Sequence, residues 1–461
     1  MRLDSKSQEC DLGRRKRLPG ALEKRRAERR LKGMKGDCAM SKVRRTFLLV
    51  GLASLALGLL PVLAGAGACN SKGTRFYVPA ADKGAVQQIH SLIRQHHFND
   101  AGLISKMVNK GHAVWFSSGT PGNVLGQVRK TMMLAKVQHT VPVLVAYNIP
   151  GRDCSQYSAG GALDAASYAA WIDGFAKGIG TGTATVILEP DGLGLLPSKC
   201  SPPSTVFTDA ERYQELNAAV DRLEQQPNVS VYLDATHSGW LNVGDASTRL
   251  VAAGVNRAEG FFLNVSAYQF TANQVQYGTW ISECIAYGNY GDCPNQYWNG
   301  GPPGTMIAAL LGPWTGIALS PYGVWSDTAT DPALNTSGVN AGYASRLGTT
   351  VPTTHFVIDT SRNGLGPWDY RSKYSSAAIA QDWCNPPGRG LGIPPTTNTG
   401  NVLVDAYLWV KVPGESDGSC NRSVAGSTTD PEWGGIVDPA AGAWFPQQAL
   451  QLAQLANPAL H

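Results

Sequence analysis

Histidine is scarce in this chain, eight in 461 residues, and no two cysteines stand at C-x-x-C spacing. Those lacks argue against a zinc centre, and nothing in the sequence calls for a metal or an organic cofactor. Charge is thin too, at 16% of residues, and it is divided unevenly. Residues 1–46 hold 16 Lys and Arg against 6 Asp and Glu, a net of +10. The rest holds 23 basic and 28 acidic residues, a net of −5, together with all twelve Trp. A mildly acidic body gives no electrostatic reason to bind nucleic acid or an anionic membrane. No Ser/Thr/Pro-rich linker divides that body, and no compact Trp-bearing module is appended at either end. It reads as one domain from about residue 70 to 461, a monomer with no protein partner implied.

The basic start runs into FLLVGLASLALGLLPVLAGAGAC, residues 47–69. A positive stretch, an apolar core and small residues at its end describe a secretory signal peptide over residues 40–69, opening at Met40. Residues 1–39 then read as an upstream extension of the frame or a disordered tail. The apolar run is nearly long enough to span a bilayer, so an uncleaved anchor is the alternative. The small residues before Cys69 also resemble a lipoprotein cleavage site. Export is the expectation. Cys154, Cys200, Cys284, Cys293, Cys384 and Cys420 remain in the body, an even number that suits disulfides and leaves the pairing open.

What the body does contain is a regular alternation. Apolar runs occur in GHAVWFSSGTP, VPVLVAYNIPGRDC, TATVILEPDGLG, VSVYLDATHSGW, GFFLNVSAYQ, THFVIDTSRNG and VDAYLWVKVPGESDG. Between several of them lie helical patterns such as DAASYAAWIDGFAKGI and DAERYQELNAAVDRLEQQ. Near-continuous apolar strands separated by helices indicate a parallel sheet buried on both faces. About seven such units in one domain suggest an α/β fold closed as a β/α barrel.

Six of the runs end in a polar signature: GRDC, EPDG, DATHSGW, NVSAY, DTSRNG and PGESDG. One acid after one strand is a helix cap. Acids, Asn, Arg, His and Trp at successive strand ends are better explained by a site, because barrels build theirs at the C-terminal ends of the strands. Flat aromatic faces beside many hydrogen-bonding groups suit sugar rings.

With YNIPGRDC, ILEPDGLG, YLDATHSGWL, DTSRNG, WCNPPGRGLG and LWVKVPGESDG in that order, residues 75–460 resemble glycoside hydrolase family 6, inverting cellulases with a distorted barrel of about seven parallel strands. The resemblance implies a β-1,4-glucan substrate such as cellulose. It places Asp191 as proton donor, Asp153 as the acid that keeps Asp191 protonated, and Asp417 as the base, directly or through water. Asp234 matches a further carboxylate that tunes the site, although Thr236 stands where Gly is usual. Sugar contacts fall to Tyr147, Arg152, His237, Trp240, Asn264, Trp383, Lys411 and Glu415. The family's loop disulfides imply Cys154–Cys200 and Cys384–Cys420, which leaves Cys284 with Cys293.

Exo and endo action differ by loops that roof the cleft. About 85 residues lie between NVSAYQ and THFVIDT, and STTDPEWGGIVDP follows Asp417. Long ordered loops beside a site usually serve it. The 270–354 insert and the 421–440 segment, with Trp298 and Trp433, therefore read as roofs of a cellobiohydrolase working from the non-reducing end and releasing cellobiose. An endoglucanase of the same family is the alternative. A sugar-binding protein without activity would be expected to lack Asp191 or its helper, and both are present.

Overall fold

The computed structural model describes residues 73–298 and 316–461. The basic start, the apolar run with Cys69, and residues 299–315 of the long insert lie outside the described residues.

Each of the seven apolar runs is a strand: β1 Val114–Phe116, β2 Val143–Ala146, β3 Ala184–Leu188, β4 Val229–Asp234, β5 Gly260–Leu263, β6 His355–Asp359 and β7 Val404–Leu408. They form one sheet in sequence order, every neighbouring pair parallel. Alternation within the strands explains why they read as continuously apolar. Val143, Val145, Ile187, Tyr232, Phe262, Val357 and Leu408 meet inside the curl. Their neighbours Leu144, Val186, Leu233, Phe261 and Ile358 face outward against Trp171, Phe175, Tyr277 and Trp280 of the helix layer.

Among the described residues the helices are α1 Lys83–Arg94, α2 Phe98–Val108, α3 Pro121–Gln138, α4 Ala165–Ile179, α5 Asp209–Leu223, α6 Val243–Ala252, α7 Thr271–Tyr287, α8 Ser337–Leu347, α9 Ala377–Ala380 and α10 Pro446–Gln454. Local chemistry starts them where the strands stop. Thr120 and Thr208 cap α3 and α5 in reciprocal capping boxes, and Asp164 caps α4.

The curl is incomplete. β1 and β7 share no ladder among the described residues. They approach through the Ala113 N–H donating to the Trp409 carbonyl at 2.9 Å and Trp115 Nε1 donating to the Val410 carbonyl at 2.8 Å. This split seam is the distortion of the barrel.

One expectation needs narrowing. Part of the 270–354 insert is α7, whose Tyr277, Trp280 and Ile281 are wholly buried in the helix layer. With α8, whose Val339 and Tyr343 are also buried, it forms the crossover between β5 and β6, so only the stretches outside these two helices are free to serve as loop. The disulfides join Cys154 to Cys200, Cys284 to Cys293 and Cys384 to Cys420, as the resemblance implied.

Candidate active site

The acids converge at the C-terminal ends of the strands. β3 ends in EPDG, where Glu189 and Asp191 both take left-handed backbone, φ 54° and 64°. Glu189 is fully buried and accepts the backbone N–H groups of Asn148 and Ile149, tying the loop after β2 to the end of β3. Burial lifts its pKa to about 7, against the pull of those N–H groups. Asp191 is half-buried, and its Oδ2 accepts from the Tyr147 hydroxyl at 3.4 Å. Its carboxyl is held well above the usual range, by burial first and then by the negative charges of Asp234 and Asp153, with Asp417 adding less.

Asp153 lies on the loop after β2, half-buried, with its Oδ2 accepting from the Ser158 N–H at 2.6 Å. Burial raises its pKa against that bond and the Arg152 charge. Arg152, expected to touch sugar, donates instead to the backbone carbonyls of Ser117, Tyr147, Ser158 and Ala159. Its guanidinium lies 4.5 Å from the Tyr147 ring centroid, so it frames the loop and backs Tyr147. Asp234 is buried at the end of β4. Its Oδ2 accepts from Leu193 and Gly194 N–H at 3.3 and 3.2 Å, and its Oδ1 from Thr236 N–H at 2.8 Å. It thereby clamps the chain just past Asp191, and burial brings its pKa to about 6.

Asp417 is the opposite case. Its Oδ2 accepts from Arg362 Nη1 at 2.9 Å, from the Tyr268 hydroxyl at 2.9 Å and from the Asn385 N–H at 3.0 Å. Its Oδ1 lies 3.7 Å from the Lys411 ammonium. Burial alone would raise this carboxyl, but Arg362 and Lys411 outweigh it and hold it below the usual range. Lys411 donates to the Ser416 carbonyl at 3.0 Å. Glu415, beside it, is lifted by burial to about 7. Tyr268, Arg362 and Asn385, carried by NVSAY, DTSRNG and WCNPPGRGLG, join the site beyond the residues expected from the sequence. Arginine in DTSRNG, opposite an acid-bearing loop, was the available signal.

The aromatic wall is distributed. The His237 ring accepts the Gly239 N–H on Nδ1 at 3.2 Å, and burial lowers its pKa to about 4, so it is a neutral imidazole. Trp240 lies beside it, ring centroids 5.8 Å apart. A side chain at Gly194 would meet the Trp240 ring at 2.7 Å, so glycine sets how closely that indole approaches the Asp191 loop. Trp383 is 43% exposed, a face open to a sugar, and lies 5.9 Å from Tyr157. Asn264 is not open. It is fully buried, its amide donating to the Asp359 and Gln269 carbonyls and accepting from the Gln269 N–H. Trp433 donates to the Asn385 carbonyl at 2.7 Å and packs on Phe445, so it anchors its own loop. Trp298 is 42% exposed at the edge of the described residues.

Residues 71–456 match the family described as glycosyl hydrolases family 6. Endoglucanase 1 of Streptomyces halstedii is 34% identical over 331 residues, covering 71% of this chain and 77% of that protein. A probable 1,4-beta-D-glucan cellobiohydrolase C of Neosartorya fischeri is 29% identical over 365 residues, covering 74% and 67%. Among solved structures, the endoglucanase Cel6 from Mycobacterium tuberculosis, in complex with a methyl-cellobiosyl thio-cellobioside, has a TM-score of 0.56 and 30% identity. The match covers 83% of this chain and 98% of that one. A seven-stranded split barrel, a ring of strand-end carboxyls with opposed titration, and a match over nearly the whole described body lead to one assignment: the chain belongs to glycosyl hydrolases family 6.

Proposed function

We propose that this hydrolase cuts β-1,4-glucosidic bonds with inversion at the anomeric carbon, Asp191 serving as acid and Asp417 as base. The supporting observation is their opposed surroundings: burial and the negative charges of Asp234 and Asp153 push the Asp191 carboxyl up, whereas Arg362 at 2.9 Å and Lys411 at 3.7 Å hold Asp417 down. Inverting hydrolysis needs one carboxyl of each kind, on opposite faces of the sugar. Asp191 passes its proton to the glycosidic oxygen as the C1–O bond breaks. Asp417 takes a proton from the water that bonds to C1 from the other side. With Oδ2 occupied by three donors, Oδ1 is the oxygen left to face that water. Tyr147, His237, Trp240, Trp383, Lys411 and Glu415 supply sugar contacts in this reading, while Arg152 and Asn264 support the loops behind them.

The substrate is cellulose or cello-oligosaccharide, cut from the non-reducing end. Relatives named as endoglucanases and as cellobiohydrolases both match, so a contact within this chain favours the exo mode. Tyr157, on the Asp153 loop, reaches Trp383 and packs where a side chain on Gly418 would meet its ring at 2.5 Å. The loops bearing Asp153 and Asp417 therefore touch, which supports a covered cleft that admits chain ends. The three disulfides suit export to an oxidising compartment. On carboxymethylated cellulose the enzyme should lower viscosity slowly while releasing soluble sugar from crystalline cellulose. Rapid loss of viscosity with the intact enzyme would make it an endoglucanase.

A further inference from the structure

Asn385 is fully buried and takes left-handed backbone, φ 43°, which asparagine tolerates better than most residues. Two hydrogen bonds join it to Asp417. Its N–H donates to Asp417 Oδ2 at 3.0 Å, and its Oδ1 accepts the Asp417 N–H at 2.8 Å. Its other groups reach the 421–438 segment. Nδ2 is shared among Asp438 Oδ2 at 2.9 Å and, in the Asp417 loop itself, Ser416 Oγ and the Gly418 carbonyl at 3.0 Å each, while the Asn385 carbonyl accepts Arg422 Nη2 at 3.0 Å and Trp433 Nε1 at 2.7 Å. Arg422 is itself held by Asp430 at 2.6 Å and donates to the Cys384 carbonyl. The 421–438 segment, which is also held by its own buried Arg422–Asp430 pair, is thus bonded to the residue that orients Asp417.

We infer that Asn385 is a positioning residue, which fixes the orientation of Asp417 in the reaction and makes that orientation depend on the 421–438 loop. This rests on the reading of Asp417 as the base. Locking Oδ2 leaves Oδ1 in one place, and misplacing a catalytic group by about 1 Å can cost on the order of 100-fold in rate.

Asn385→Gly keeps the left-handed backbone and deletes the side-chain bonds. Measured on cellohexaose, its kcat should fall about 10- to 100-fold with KM within about twofold. The acidic limb of its pH profile should move upward. The Asn385 N–H favours the ionised carboxyl; glycine keeps that N–H but loses the Oδ1 and Nδ2 anchors that hold it against Asp417 Oδ2, and its drift away raises the pKa of Asp417 and removes base at low pH. The other groups that bear on Asp417, namely Arg362, Lys411, Tyr268, Glu415 and Asp191, stay in place. Trp433→Phe cuts the link from the far side and should act in the same direction, a few-fold in kcat. Folded Asn385→Gly with the wild-type kcat and acidic limb, or with only KM altered, overturns the inference. If Asn385→Gly is insoluble, Trp433→Phe decides, and a wild-type kcat and acidic limb there overturn it. Asp417→Asn separates the two claims: near-wild-type activity in that variant removes the base reading itself.

Discussion

Removing the Cys384–Cys420 bond separates clamping of the site from holding of the fold. The two cysteines are 36 residues apart, and closing a loop of that size in the unfolded chain contributes about 4 kcal/mol. Against a domain stability of roughly 5–15 kcal/mol, that loss leaves most molecules folded. Locally the consequence is larger, because Cys384 stands between Trp383 and Asn385 and Cys420 lies three residues past Asp417. The Asn385–Asp417 pair would then hold the two loops together without covalent help. In a Cys384→Ser, Cys420→Ser double variant, the urea midpoint should fall, and kcat on cellohexaose should drop several-fold at 25 °C in protein still folded by tryptophan fluorescence. The Cys284–Cys293 pair is the comparison. It spans 9 residues at the end of α7 and should cost about 2.5 kcal/mol while leaving kcat within about twofold. Unchanged kcat in the Cys384, Cys420 variant, or activity and fluorescence lost at the same urea concentration, would refute the clamp.

Asp191→Ala should lose about 100- to 10,000-fold on cellulose, yet far less on a cellobioside with a strongly acidic leaving group, which departs without a proton; equal losses would remove Asp191 from the acid role. Asp153→Asn deletes one of the charges that raise Asp191, so Asp191 should ionise at lower pH and the alkaline limb of kcat/KM should move downward; a limb that stays in place or moves up contradicts the sign. Thr236→Gly should stabilise the fold by about 0.5–1 kcal/mol in urea titration, because relief of a β-branched residue at φ 58° exceeds the added backbone entropy of glycine. Thr236→Ala, which keeps the Cβ, should show no such gain.

The strands were legible because both of their faces are buried, which removes polar residues until the chain leaves the sheet. The same logic picked out the acids, since Asp191 and Asp234 stand where the apolar runs of β3 and β4 end. Helix α7 was hidden inside the insert. Tyr277, Trp280, Ile281 and Cys284 are all buried, along with Asn273, Gln274 and Ser282, so its apolar and polar residues do not sort onto opposite faces. Partners in the loops were not legible either. Arg152 and Asn264 sit in site motifs, yet their donors go to backbone carbonyls that only the folded loops bring within reach. Arg362 illustrates the converse, a buried cation whose partner Asp417 lies 55 residues away in sequence. Glu189, two residues before Asp191, is turned inward by the fold to accept two backbone N–H groups from the loop after β2, which no local pattern announces.

The most direct test of the central claim is the anomer formed first. Proton NMR of cellohexaose hydrolysis, recorded before mutarotation equilibrates the new ends, reports the configuration at the cleaved carbon. A protonated Asp191 and an ionised Asp417 acting through water predict α-cellobiose as the initial product. An initial β product would mean retention through a covalent glycosyl-enzyme, and would contradict the roles assigned to both carboxyls.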